Sequence, residues 1–188
     1  MSNVIIRGRI CYAHIFEPFS IDADQQEQYS LCMLIDKNDT ETVKKIKAEI
    51  NAAFEDGIKR KWGGKKPAKP KLPLRDGDEE RDDKPEFRGM YFFNAYSKKR
   101  KPEVVLRYRD PVTGKPVNGT EDTVYSGCIC NVSLSFYPFD ESGSRGVAVS
   151  LGNVQKWEDG ERLAGGFGDA EDEFGFDDSE AADLDDLL

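Results

Sequence analysis

The chain has 188 residues, enough for one ordinary domain with tails, and carries 36 acids, 27 bases and a formal charge of −9. No apolar run approaches the length of a membrane span, "MSNVIIRGRI" lacks the layout of a secretory signal, and Cys11, Cys32, Cys128 and Cys130 sit inside apolar stretches, as reduced buried thiols do. A soluble intracellular protein is expected. Its charge is uneven: ten acids and no base lie between Asp169 and Leu188, which leaves 26 acids against 27 bases for the body.

Residues 4–16, "VIIRGRICYAHIF", read as a strand with Val4, Ile6 and Ile10 on one face and Arg7 and Arg9 on the other. "QYSLCMLI" (28–35) is a second strand, apolar on both faces. A helix is predicted over about 39–58. Asn38 with Glu41 suggests a capping box, and Val43, Ile46, Ile50, Ala53 and Phe54 recur at helical spacing. Residues 59–86 form a long loop, basic in its first half and acidic in its second, too rich in proline and glycine for a long element.

Strands resume at 87–97, "FRGMYFFNAYS", and 102–109, "PEVVLRYR". In the latter, Val104, Leu106 and Tyr108 share one face and Arg107 and Arg109 the other, which makes Tyr108 a core candidate. Asn118-Gly119 is a hairpin signal. Residues 124–139 alternate: Val124, Cys128, Cys130, Val132, Leu134 and Phe136 face one way, Tyr125, Asn131, Ser133, Ser135 and Tyr137 the other. "VAVSLGNVQKW" (147–157) is the last strand. Six short strands and one helix suit a mainly β protein, an OB-fold-like antiparallel barrel. The expected division is a barrel domain over 1–160 and a flexible acidic tail over 161–188.

Little here points to an enzyme. His14 is the single histidine and lies in an apolar strand, where a core role is expected. Cys128 and Cys130 are spaced C-x-C, so on a strand both point into the core, and no metal-ligand spacing or phosphate loop appears. No metal and no cofactor is expected. The acids at 76–83 alternate with Arg75, Arg81 and Lys84 and read as a self-neutralising loop; a metal-dependent nuclease built on them is the weakest alternative.

The segment 87–109 interleaves aromatic rings with cations. Rings stack on unpaired bases and cations follow phosphates, so this is the chemistry of a single-strand binder. The candidate groove takes Arg7, Arg9, Tyr96, Lys98, Lys99, Arg100, Lys101, Arg107, Arg109 and Tyr137, with the basic loop of Trp62, Lys65 and Lys66 closing over it. A tethered polyanion is attracted to such a groove and would occupy it until DNA displaces it. Phe174, Phe176, Leu187 and Leu188 are then anchors for partner proteins. A protein-interaction module acting through the tail is the other alternative.

"FRGMYFFNAYSKKRKPEVV", "VYSGCICNVSLSFYPF", "RGVAVSLGNVQ" and the acidic end together resemble a family of bacteriophage single-stranded DNA-binding proteins. More distantly, the chain resembles the corresponding protein of T7-like phages, although it ends in two leucines where those end in an aromatic. The resemblance implies an OB-fold, non-enzymatic and sequence-independent binding of single-stranded DNA, and work in phage replication and recombination in the bacterial host's cytoplasm. It implies replication or recombination proteins as partners of the tail and no membrane, and it leaves a homodimer open.

Overall fold

A computed structural model describes residues 3–163. Eight strands form one sheet: β1 (Val4–Phe19), β2 (Gln28–Asp36), β3 (Arg75–Asp76), β4 (Met90–Ser97), β5 (Val104–Arg109), β6 (Pro116–Asn118), β7 (Ile129–Glu141) and β8 (Ser144–Glu158). The main helix, α1 (Thr40–Arg60), joins β2 to β3, and a single turn, α2 (Gly77–Glu80), follows β3. The order across the sheet is β3-β4-β2-β1-β7-β8-β5-β6. A parallel pairing of β4 with β8, Tyr96 opposite Ser150, closes β1, β2, β4, β8 and β7 into a five-stranded barrel. This is the mainly β, OB-fold-like barrel expected from the strand pattern.

Closure depends on β1 serving two partners. Its first half pairs with β7, Val4 opposite Leu134 through Arg9 opposite Ile129, and its second half pairs with β2. Between Cys11 and His14 the β2 register slips by one residue, and Tyr12 there takes φ 47°. Such a bulge bends a strand and re-aims its side chains.

The barrel interior is filled by residues such as Ile6, Ile10, Met33, Phe93, Val132 and Val154. The apolar stripe of α1, Val43, Ile46, Ile50 and Ala53, belongs to the same cluster. Cys128 and Cys130 point into it, and burial pushes the Cys130 thiol up to about 12. The uniform burial of Leu31 through Ile35 has a second cause. Cys32 and Leu34 face outward, but Cys11, Phe87 and Phe92 cover them in a separate cluster.

Three local expectations are corrected. The cap of α1 is Asp39, whose side chain accepts from the Thr42 N–H, and not Asn38. The β5–β6 turn is built on Asp110 and Gly114 (φ 67°), and Asn118-Gly119 lies past it. Two backbone N–H groups, of Thr113 and Val112, hold the Asp110 carboxyl below its usual range. Tyr108 is 59% exposed, because β5 runs beyond the barrel at that end.

The segment 59–86 contains no long element, as expected, yet it is tied down. Trp62 is 2% exposed, meets Phe54 edge-on at 5.2 Å and donates from Nε1 to the Phe139 carbonyl at 3.0 Å. Lys71 exchanges backbone hydrogen bonds with Arg145 and Val147, and Arg75 pairs with Phe92. The chain thereby fills the wedge between the starts of β4 and β8. Three of the six acids that follow are engaged by bases: Lys37 Nζ lies 2.6 Å from Asp76 Oδ1 and 2.7 Å from Asp78 Oδ2, and Arg75 pairs with Glu80. No group of three or more metal-ligating side chains is gathered among the described residues.

Candidate nucleic-acid interface

The outer face of β1, β2 and β4 is built in rows set by the strand register. Arg9 stands opposite Leu34, Leu34 opposite Phe92, and Phe92 opposite Arg75. Cys11, Cys32 and Asn94 make the next row, and His14, Ser30 and Tyr96 the one after. Leu34 and Phe92 of the first row and Cys11 and Cys32 of the second are buried together under Phe87, while the third row is open to solvent. Tyr96 is 41% exposed there, and the part of its ring that is covered raises its phenol pKa through burial.

The open end of this face carries more rings. His14 stacks on Phe19 with centroids 4.4 Å apart and planes 11° from parallel. Phe19 is 48% exposed, although it is apolar and sits at the end of a strand. Tyr12 is exposed beside Phe87, at 6.4 Å between centroids, because the bulge turns it outward. His14 is therefore a surface ring and not a core one. Partial burial lowers its pKa, which favours the neutral imidazole. Four rings on one sheet face form a platform on which flat bases can stack.

Cations surround the platform. The β4–β5 turn follows Tyr96 directly. Arg100 Nη2 donates to Asn153 Oδ1 at 2.8 Å, and Ser97 Oγ to the Arg100 carbonyl at 2.6 Å, so the turn is held against β8. Lys98, Lys99 and Lys101 are exposed with no carboxylate within 4.0 Å among the described residues. Arg75 covers the Phe92 ring at 4.9 Å.

The residues expected in one groove fall into three groups. Tyr96, Lys98, Lys99, Arg100 and Lys101 lie at the β1–β2–β4 face, with Arg9 at its border. Arg7 and Arg107 flank Trp157 on β8, at 4.0 and 5.5 Å from its ring centre, and Arg109 follows on β5. Lys65 and Lys66 are exposed past the end of α1, where Lys61 and Trp62 bond to Pro138 and Phe139 of β7; Tyr137 is half-buried just before these. The buried Trp62 has no ring face to offer a base, so the basic loop does not close over the platform through it. Phe174, Phe176, Leu187 and Leu188 lie outside the described residues.

The pattern reading missed Tyr12, His14 and Phe19. Their shared exposure depends on the bulge, which no local residue signals. It also missed the course of residues 159–163. Arg9 Nη2 donates to the Glu161 carbonyl at 2.8 Å, the Leu163 N–H donates to the Ser126 carbonyl at 2.8 Å, and Leu163 packs against the Cys11–Phe87 cluster. Gly127 (φ 114°) is required at the crossing, since a Cβ there would collide with the Glu161 carbonyl oxygen.

Comparison with known proteins bears on this arrangement. A family model described as the ssDNA-binding protein of Enterobacter phage Enc34 matches residues 1–188. Protein p50 of Acyrthosiphon pisum secondary endosymbiont phage 1 is 32% identical over 189 residues, covering 96% of this chain and 95% of its own. The single-stranded DNA-binding protein of bacteriophage Enc34, solved in complex with ssDNA, superposes with a TM-score of 0.70 at 23% identity, over 86% of this chain and 89% of that one. Bacteriophage T7 gp2.5, a single-stranded DNA-binding protein, superposes with a TM-score of 0.56 at 19% identity, over 93% and 96%. The last two likenesses concern the fold.

Proposed function

Since the chain belongs to the family of the phage Enc34 ssDNA-binding protein, a family of binding proteins and not of enzymes, we propose that it holds unpaired DNA without regard to sequence. The strand lies across the outer face of β1, β2 and β4, in the manner of OB-fold binders. The observation that carries this placement is the open row of Tyr96, Ser30 and His14, continued by Phe19 and bordered by the exposed Lys98, Lys99 and Lys101. Bases stack on the rings, and each stack is worth about 1–3 kcal/mol. The lysines follow the phosphates, so affinity falls with salt because releasing counterions into a more concentrated solution is less favourable.

Residues 1–160 act as the DNA-binding domain and 161–188 as a regulatory and docking tail. Arg9 and Leu163 bring the chain to the border of the platform just before its ten acids begin. The acids compete with DNA for the lysines, and binding of DNA releases the tail toward replication or recombination proteins of the phage. Fluorescent oligo-dT titration at two salt concentrations tests the placement. Tyr96→Ala and reversal of Lys98, Lys99 and Lys101 to glutamate should each weaken binding in a protein that still melts cooperatively. Unchanged affinity in both would move the DNA site elsewhere.

A further inference from the structure

Trp157 lies near the end of β8 on the barrel's outer surface, apart from the β1–β2–β4 platform. Arg7 covers its ring from β1 and Arg107 from β5. Arg7 is fixed before any ligand arrives: its Nε donates to Asn131 Oδ1 at 2.8 Å, and Asn131 Nδ2 donates to Gln155 Oε1 at 2.9 Å. A guanidinium already held over an indole has little entropy left to lose on binding. A cleft of about 350 Å³ opens beside the ring, lined by Leu106, Tyr108 and Lys156 among others.

Charge singles out this cleft. Arg7, Arg107 and Arg109 have no carboxylate within 4.0 Å among the described residues. Of the two acids at its end, Asp159 is engaged by Lys156 at 2.6 Å and by the Tyr125 hydroxyl at 2.9 Å, which leaves Glu158 beside the guanidiniums of Arg107, which lines the cleft, and Arg7, which covers the Trp157 ring. Planar rings with guanidiniums beside them suit a base and its phosphate. Arg9 links the regions, since its neighbours are Leu34 on the platform side and Ile129 on the other.

We propose that this cleft is a second contact for single-stranded DNA, taking a nucleotide beyond the segment that lies on the β1–β2–β4 face. The proposal rests on the reading of that face as the principal DNA site. It makes the protein's footprint longer than the platform and gives a long strand a gain in affinity that a short one lacks.

Oligo-dT of graded length, titrated against the full chain, tests it. In the unaltered protein affinity should rise a second time once the strand is long enough to reach the cleft, and Trp157 emission should be quenched only in that range. Arg107→Glu should cut the second rise by about tenfold or more. Lys44→Glu, the same charge change on the exposed face of α1, should cut it far less. Trp157→Phe keeps a ring between the arginines, so the second rise should persist while the quenching disappears, which guards against a folding defect. Identical length curves for Arg107→Glu and the unaltered protein would overturn the proposal and leave the platform reading intact. A synthetic peptide of residues 169–188 that quenches Trp157 where no oligo-dT does would also overturn it, in favour of an acidic protein segment. If no length of oligo-dT binds, or Tyr96→Ala changes nothing while Arg107→Glu abolishes binding at every length, the platform reading itself fails.

Discussion

Arg9 Nη2 holds the carbonyl of Glu161 at 2.8 Å, so a strand residue from the start of the chain fixes the point from which its acidic end departs. Eight residues beyond Glu161 the run of ten acids begins. A tether this short keeps a polyanion at high effective concentration beside the lysines after Tyr96. Deleting residues 169–188 should therefore raise oligo-dT affinity several-fold at low salt. The gain should shrink toward physiological ionic strength, where charges are screened beyond about 8 Å. Fluorescence anisotropy at two salt concentrations checks this, and an unchanged low-salt affinity would end the competition model.

The rings on the platform should contribute separately. Tyr12→Ala, Phe19→Ala and Tyr96→Ala each remove an exposed ring and no core contact in the barrel interior. Each should cost about 1–3 kcal/mol of oligo-dT binding with little change in melting temperature. Affinity and thermal melting measured on the same samples separate the two effects.

Trp62 should behave in the opposite way. It packs against Phe54, and a Cβ placed on Gly57 would meet its ring at 2.6 Å. Trp62→Ala should lose about 3–5 kcal/mol of stability, visible in denaturant unfolding. Gly57→Ala should also destabilise, through overpacking of the same contact. Trp62 emission in the intact protein should stay unquenched by oligo-dT.

Lys37 clamps the segment that leads to Phe87. Its ammonium bonds to Asp76 and Asp78 and lowers both carboxyl pKa values below the usual range. A depressed carboxyl pKa stabilises the fold fully above the unfolded value, about 3.9, and that contribution is lost as pH falls through the lower folded value. Lys37→Met should return both pKa values toward normal. It should also increase hydrogen exchange at Gly89, whose N–H donates to Asp78. NMR titration of the two carboxyls reads the shift directly.

Phe87 roofs Cys11 and Cys32, which face each other across β1 and β2. The neighbouring Cys32 thiol and burial push the Cys11 thiol pKa up, which keeps it neutral. In the intact protein neither should react with iodoacetamide on the timescale of unfolded controls. Phe87→Ala should lose about 3–5 kcal/mol and expose both thiols to alkylation, as mass spectrometry would show.

Much of the fold could be read from local pattern. Val4, Ile6 and Ile10, and then Cys128, Cys130, Val132, Leu134 and Phe136, recur at strand spacing, and all of these are buried in the barrel. The stripe of Val43, Ile46, Ile50 and Ala53 marked α1 for the same reason: one face must leave water. The cationic turn at 98–101 and the exposure of Arg107 and Arg109 also followed from strand phase. Trp62 did not follow. Its neighbours Lys61, Gly63 and Gly64 are those of a solvent loop, and its burial depends on Phe139, 77 residues away.

What the sequence determined alone is the alternation that makes strands, the stripe that makes one helix, and the segregation of ten acids at one end. These are local properties, set by the period of the backbone and by side-chain chemistry. The tertiary structure decided which rings face solvent together. One slipped residue at Tyr12 turns His14 outward beside Phe19, and barrel closure divides the arginines between the platform and the Trp157 cleft. Both outcomes are set by register and curvature, which arise when distant strands pair, and no local segment encodes them by itself.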